Sequence, residues 1–504
     1  MGKSGEYGGI RFFLRKGCAD VEERTSIWSE TQTLPERERL SGDLRVDAAV
    51  IGAGMAGVLI AERLQRRGMR VAVLEASRIG SGQTKNTTAK ITSQHGAIYT
   101  ALIARFGRER AQQYASANER AIGEYERLIA EKGIDCGFRR AGATLYSQED
   151  GAAMRAEAEA AAALGIDARF ETQTELPFSV VGAVRFDHQA MFHPLRFLRA
   201  IAGELDIYEH TPVRSVEGGT VHTEHGTVRA EHVVFATHFP FVNVPGWYFM
   251  RMSQERSYVL ALEGTWRPDG MFYGVDASGL SFREAEGLLL LGGENHRTGE
   301  NSAGGRYEAL RARAGELFPG CKEVARWSAQ DCMTLDGVPY IGAFAASEPR
   351  WHVATGFGKW GMTGSMVAAM AIDGAIAGQK PDWADVFSPS RFELSASAKK
   401  LATDTAQAVK GLARELFAVP KTVLDALPNG HGGIVEADGQ KAGVYKDERG
   451  ECFVVHPRCP HLGCQLEWNP DEKSWDCPCH GSRFSYDGAL LDNPAQRDLE
   501  RRDS

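Results

Sequence analysis

The chain has 504 residues, 25% of them charged, with a formal net charge of −8 at pH 7. That length suits several domains, and the mild acidity excludes the basic footprint of a nucleic-acid binder. No run of about 18 apolar residues is present to span a membrane.

The first residues, Met1 to Tyr7, lack the apolar core of a secretory leader, and the run from Arg11 to Lys16 is too short for one. A cytoplasmic protein is therefore expected. Residues 1–45 read as an N-terminal extension. From Asp47 the pattern becomes Asp-Ala-Ala-Val-Ile-Gly52-Ala-Gly54-Met-Ala-Gly57, then a helical Ala/Leu-rich segment from Val58 to Arg67, then Val71–Leu74 and Glu75. Strand, glycine loop, helix, strand and a closing acid together predict a dinucleotide-binding βαβ unit. Gly52 makes the tight turn, Gly54 admits the pyrophosphate, and Gly57 lets helix and strand pack closely. The helix N-terminus faces the phosphates. Glu75 is placed to accept hydrogen bonds from ribose hydroxyls, and its charge disfavours a 2′-phosphate.

The segment that follows, Ala76 to Lys90, is rich in glycine and hydroxyls. It resembles the corresponding loop of the glycine/sarcosine oxidase and D-amino-acid oxidase family of flavoproteins. That resemblance implies FAD and marks Arg78, Thr84, Lys85, Thr87 and Thr88 as flavin contacts. His95 follows closely and is either a residue near the flavin ring or a structural histidine. Residues 102–165 have helical periodicity. Residues 170–190 and 245–320 alternate as strands, compatible with the antiparallel substrate sheet that the family places over the flavin. Between them, His210 to Thr237 is β-rich, and the family clamps its adenine near Val213. Family members grip a substrate carboxylate with arginine or tyrosine from the sheet. Arg251, Arg256 and Tyr258 lie in that region, and each reads equally well as a surface charge or sheet filler.

Trp327 to Gly342 and Ala354 to Gly364 match the family's closing signature. There a glycine-rich turn enters a helix whose amides face the flavin. This implies contacts from Gly356, Gly358, Gly361, Met362 and Thr363; Lys359, inside the turn, is a candidate to face the flavin and stabilise its anionic form. Cys332 does not align with the family's covalent attachment residues. The resemblance spans residues 46–378, with FAD-binding parts at about 46–100, 190–240 and 325–378. Residues 379–420 shift in composition, with Ala, Lys and Leu at helical spacing from Ser395 to Phe417. They read as a linker helix, or alternatively as a basic membrane-surface helix.

Five of the nine cysteines fall between 452 and 479. Cys459-Pro-His461-Leu-Gly-Cys464 and Cys477-Pro-Cys479-His480-Gly-Ser482 form the ligand pattern of a Rieske [2Fe–2S] centre, where two histidines replace two cysteines on one iron. Cys459 and Cys477 then hold the sulfur-ligated iron, and His461 and His480 the outer one. A Cys₂His₂ zinc ribbon is the alternative. The segment 421–504 also resembles the Rieske proteins of cytochrome bc complexes. This implies a Cys464–Cys479 disulfide, a sulfur-directed hydroxyl at Ser482, and a covering proline loop at Asn493-Pro494-Ala495. Phe484 stands where high-potential members carry a tyrosine, implying a potential below the top of the range of roughly −150 to +300 mV.

The expected fold class is α/β and α+β: a Rossmann-like FAD-binding domain with an antiparallel-sheet substrate domain, plus a small all-β Rieske domain. The expected function is an FAD-dependent oxidoreductase, a dehydrogenase more than an oxidase. It oxidises a small amine, amino acid or related metabolite. Electrons pass through the [2Fe–2S] cluster to an external one-electron acceptor or carrier protein. The alternative is a redox sensor or reductase module whose Rieske domain docks a partner. The sequence leaves substrate, acceptor and oligomeric state open.

Overall fold

The computed structural model describes residues 24–391, 422–423, 427–437 and 440–501. The linker-helix segment from Ser395 to Phe417 lies outside the described residues.

The βαβ unit begins with a strand, Leu44–Ile51, whose last four residues are all buried. It pairs in parallel with Val71–Leu74 on one side and Thr227–Phe235 on the other. A continuous apolar run suits such a central parallel strand, which is covered on both faces. This eight-stranded sheet runs Tyr340–Ala345, Glu348–Thr355, Thr227–Phe235, Leu44–Ile51, Val71–Leu74, Ile207–Tyr208, with Thr220–Thr223 also paired to Thr227–Phe235 and Val213–Glu217 paired to Thr220–Thr223. Between its first two paired strands runs the helix Met55–Arg66, capped by Gly54. A Cβ on Gly57 would lie 1.9 Å from the carbonyl oxygen of Gly52, so no side chain fits where helix meets loop. A second helix, Gly361–Ile376, buries almost its whole length in the same core. Each fully buried Val, Leu or Ile there contributes about 1.5–3 kcal/mol.

The second sheet has nine strands, ordered Lys322–Thr334, Met252–Glu263, Leu288–Arg297, Ser281–Ala285, Met271–Gly274, Arg139–Ser147, Gly182–Met191 and Lys90–Ile91, with Ala168–Glu171 at its side. The helical pattern of 102–165 becomes helices Tyr99–Lys132 and Gly151–Ala163 with the strand Arg139–Ser147 between them. Within 245–320 the strands are joined by a helix, Arg306–Leu317, absent from the alternating pattern expected there.

The strands Met252–Glu263 and Lys322–Thr334 decide how the sites are arranged. They run antiparallel with Gln254 opposite Cys332, Glu255 opposite Asp331, Arg256 opposite Gln330 and Ser257 opposite Ala329. Successive side chains point to opposite faces of a sheet. Glu255, Ser257, Ala329 and Asp331 therefore share one face, and Gln254, Arg256, Gln330 and Cys332 the other.

The C-terminal part has two four-stranded sheets. One contains Thr422–Val423, His431–Ala437, Gln440–Lys446 and Cys452–Val455; the other contains Glu467–Asn469, Ser474–Asp476, Arg483–Ser485 and Leu490–Asp492. Their shared core holds Tyr445, Val455, Leu466, Trp468, Trp475, Phe484 and Leu499. Among the described residues no helix is long and apolar enough to cross a membrane.

Candidate functional site: a flavin cavity backed by a cysteine–histidine centre

A cavity of about 890 Å³ runs along the βαβ loop and under the first face of the strand pair. Gly52, Gly54, Glu75, Thr84, Lys85, Thr87, Thr88 and Val213 line it, as do Gly358, Lys359, Gly361 and Met362. Glu75 accepts backbone N–H bonds from Ala53 at 2.8 Å and Ser77 at 2.9 Å, which fixes its carboxylate at the cavity edge. Burial raises its pKa despite those donors. The Thr84 hydroxyl accepts from Met55 N–H at 3.0 Å, tying the second loop to the helix start.

Several expected contacts lie elsewhere. Gly57 serves helix–loop packing rather than the cavity wall. Arg78 turns away to Glu36 at 2.8 Å and to the buried Glu209 at 2.9 Å. Gly356 packs against Thr334, and the Thr363 hydroxyl exchanges hydrogen bonds with the Thr92 backbone. His95 is also displaced from the cavity. It stacks on Trp360 with ring centroids 5.1 Å apart, and Trp360 forms the wall. Its ring nitrogens meet the Tyr114 hydroxyl and the Thr92 carbonyl. Burial drives its pKa down to about 3, so it is a neutral structural histidine.

Lys359 does face the cavity, with its Nζ 3.5 Å from the Glu255 carboxylate. Burial alone would lower its pKa, but Tyr273, Asp331 and Glu255 outweigh that and hold it above its ordinary value. Arg256 corrects another expectation. It points away from the cavity, to Glu472 at 2.6 Å and Ser328 at 2.5 Å, because its position in the strand has the opposite parity to Ser257. Arg251 donates to the carbonyls of Pro389 and Gly246. Tyr258 borders the cavity, but its hydroxyl meets His296 and Asn301.

The two cysteine–histidine loops meet at the other face of the strand pair. Cys464 and Cys479 are joined by a disulfide. That removes them from the sulfur cluster formed by Cys464, Cys477 and Cys479. Cys459 and Cys477 are buried and free of any disulfide, and the hydrogen bond between them lowers the pKa of Cys459 and raises that of Cys477. The rings of His461 and His480 lie 4.9 Å apart. Burial holds both neutral, at about 4 for His461 and about 3 for His480. Among the described residues the Nδ1 atoms of both are buried without a hydrogen-bond partner, which is costly unless something binds them. Two free thiols and two orphaned imidazole nitrogens on paired loops fit the ligand demand of a [2Fe–2S] group. The Ser482 hydroxyl accepts from Ala495 N–H at 3.0 Å and so holds the proline loop against this centre.

A family model for FAD dependent oxidoreductases matches residues 47–373. The chain belongs to that family. A Rieske [2Fe-2S] domain model matches residues 419–502. A relative from Bacillus subtilis (strain 168), named as a Rieske 2Fe-2S iron-sulfur protein, YhfW, is 34% identical over 500 residues, covering 96% of this chain and 98% of that protein. Among solved structures, L-proline dehydrogenase from P. horikoshii superposes with a TM-score of 0.59 at 17% identity, covering 71% of this chain and 99% of that one. Glycine oxidase from Geobacillus kaustophilus gives 0.58 at 20% identity, covering 69% and 100%. Both likenesses concern the fold. The protein is thus a flavin oxidoreductase carrying FAD and a Rieske [2Fe–2S] cluster.

The Rieske domain is closely packed onto the FAD-dependent domain. The Gln254 side-chain amide donates to the carbonyls of His480 at 2.7 Å and Asn493 at 3.1 Å. Gln330 donates to Gln254 at 2.7 Å and to the carbonyl of Gly481 at 2.8 Å. Glu472 is buried between Arg256 and Arg483, which hold it well below the usual carboxylate range against the opposing effect of burial. Asn301 donates to Asn469 at 3.0 Å and Asp471 at 2.8 Å. A Cβ on Gly481 would lie 2.6 Å from that of Gln254, and one on Gly299 would lie 2.6 Å from Pro478 Cα. Leu490, Asp492, Asn493 and Ala495 of the Rieske domain complete the wall of the flavin cavity. Sequence reasoning missed Gln254, Gln330 and Glu472. Ser253-Gln-Glu-Arg-Ser257 is polar at every position, so the sequence carried no signal for which of these side chains meets the second domain.

Proposed function

We propose that the protein is a dehydrogenase of a small amine, amino acid or related metabolite, delivering its electrons to an external one-electron acceptor. When bound, FAD accepts two electrons from substrate and the Rieske cluster relays them singly. One observation carries this reading: a single pair of strands presents its Ser257–Ala329 face to the flavin cavity and its Gln254–Gln330 face to the cysteine–histidine loops.

The chain's own residues then divide the work. The βαβ loop and Glu75 hold the dinucleotide end, and Lys359 offers positive charge beside the ring position. The Rieske ligands are Cys459, His461, Cys477 and His480. Gln254 and Gln330 fix the backbone of the second ligand loop against the sheet. Asn243 accepts from His461 Nε2 at 2.9 Å and holds that imidazole's orientation.

The test is turnover of an amine panel with ferricyanide against dissolved oxygen. Acceptor-linked turnover is expected to exceed peroxide formation. Cys477→Ser should abolish it while substrate still bleaches the flavin. Full-rate peroxide formation, unchanged in Cys477→Ser, would show an oxidase for which the Rieske domain is idle.

A further inference from the structure

The cavity wall beside the glycine turn sets two carboxylates against one lysine. Glu255 and Asp331 lie directly opposite each other on adjacent strands, facing the same side. Two like charges so placed repel. Lys359 reaches this pair from the turn, which is held beside it by a hydrogen bond from Gly358 N–H to the Cys332 carbonyl at 2.9 Å. Its ion pair is with Glu255. One lysine cation against two carboxylates leaves one negative charge over.

That charge belongs to Asp331, which is half-buried and opens onto the cavity. Among the described residues its carboxylate has no hydrogen-bond partner. Burial raises its pKa to about 7, with Lys359 pulling the other way. The arginines expected to grip a substrate carboxylate are engaged elsewhere, Arg251 with backbone carbonyls and Arg256 with Glu472. The arginines that do line the cavity among the described residues, Arg214 and Arg497, adjoin Val213 and Gln496. That is the dinucleotide end, since Thr211 N–H bonds the Glu75 carbonyl at 2.8 Å.

We propose that Asp331 is a specificity-determining residue that binds a cationic nitrogen of the substrate, so that the substrate is a positively charged amine recognised without a carboxylate clamp. This rests on the amine-oxidising reading above and narrows its substrate class. The Asp331 carboxylate and an entering ammonium neutralise each other, whereas an entering carboxylate is repelled by Asp331 and Glu255. Other charged or titratable groups face the same space: Lys359 and Glu255 beside Asp331, Tyr273 beyond Lys359, Lys85 and Lys90 across the cavity, and Arg256 on the reverse face. Burial, aided by Arg283, lowers Lys90 to about 7. It therefore titrates in the same window, and the pH test needs a variant control.

The experiment titrates the FAD- and cluster-loaded full chain with benzyltrimethylammonium, benzoate and benzyl alcohol. These probes are similar in size and differ in charge, and binding is read from the flavin's visible spectrum. At about pH 8.5 the cation should bind at least about 30-fold more tightly than benzoate, and Asp331→Asn should erase that advantage. The probe's charge is fixed, so its affinity should fall as pH drops through about 7 and Asp331 gains a proton, and this dependence should shrink in Asp331→Asn. Should that variant fail to hold FAD, Asp331→Glu retains the charge and is expected to keep the cation preference. Benzoate binding more tightly than the cation, or unchanged cation affinity in Asp331→Asn, would overturn the proposal. Cation preference without acceptor-linked turnover would leave it standing and defeat only the proposed function.

Discussion

The two faces of one strand pair behave as different materials. On the cavity face, Ser257, Val259, Ala329 and Asp331 border open volume and include a carboxylate with no hydrogen-bond partner among the described residues. On the Rieske face, Gln254, Arg256 and Gln330 are packed against another domain, and each is hydrogen-bonded across the interface. The first face leaves room and unspent charge, which chemistry on a substrate needs. The second leaves neither, and it fixes the cysteine–histidine loops against the back of the flavin site. A two-residue period lets the same twelve residues of Met252–Glu263 serve both.

The comparison breaks most severely at Glu472. Glu472→Ala leaves Arg256 buried without its carboxylate, while Arg483 keeps Asp476 and Asp492. It should cost about 3–5 kcal/mol, read by chemical denaturation. Because the folded pKa of Glu472 is held low, its contribution is present at neutral pH and drains away as pH falls below about 4.3 and through the depressed value. Acid should therefore loosen wild type while changing Glu472→Gln less.

A gentler break is Gly299→Ala. Its Cβ would press on Pro478 Cα from a backbone of positive φ. Overpacking of this kind costs about 1–3 kcal/mol. It is expected to speed proteolysis between the domains and slow flavin-to-cluster electron transfer, with FAD and iron content unchanged.

The smallest effect sharpens the assignment of His95. Its pKa of about 3 leaves it neutral throughout the working range. His95→Gln should lower stability by about 1–2 kcal/mol through the lost contacts to Tyr114 and Trp360. The pH–rate profile near neutrality should stay where it was, and a shifted limb would return His95 to the chemistry.

What was legible in the sequence was local. The glycine loop around Gly52 and the cysteine–histidine pairs are contiguous signatures whose spacing is itself the chemistry, and the Cys464–Cys479 pairing followed from a family likeness. What was illegible depends on register between distant strands. That Asp331 faces Glu255 across the sheet, or that Arg256 looks away from the flavin, follows from a one-residue parity that hydrophobic pattern leaves open. Arg78 was misplaced for a similar reason. Its loop position was right, but Glu209, far along the chain and buried, draws its guanidinium outward.

The most direct test of the two-faced arrangement is electron paramagnetic resonance during anaerobic photoreduction of the flavin in the full chain. A Rieske signal of low average g should grow in step with flavin bleaching, because the second face holds the cluster against the first. Complete bleaching with no signal until dithionite is added would show that the two centres do not share electrons, and would contradict it.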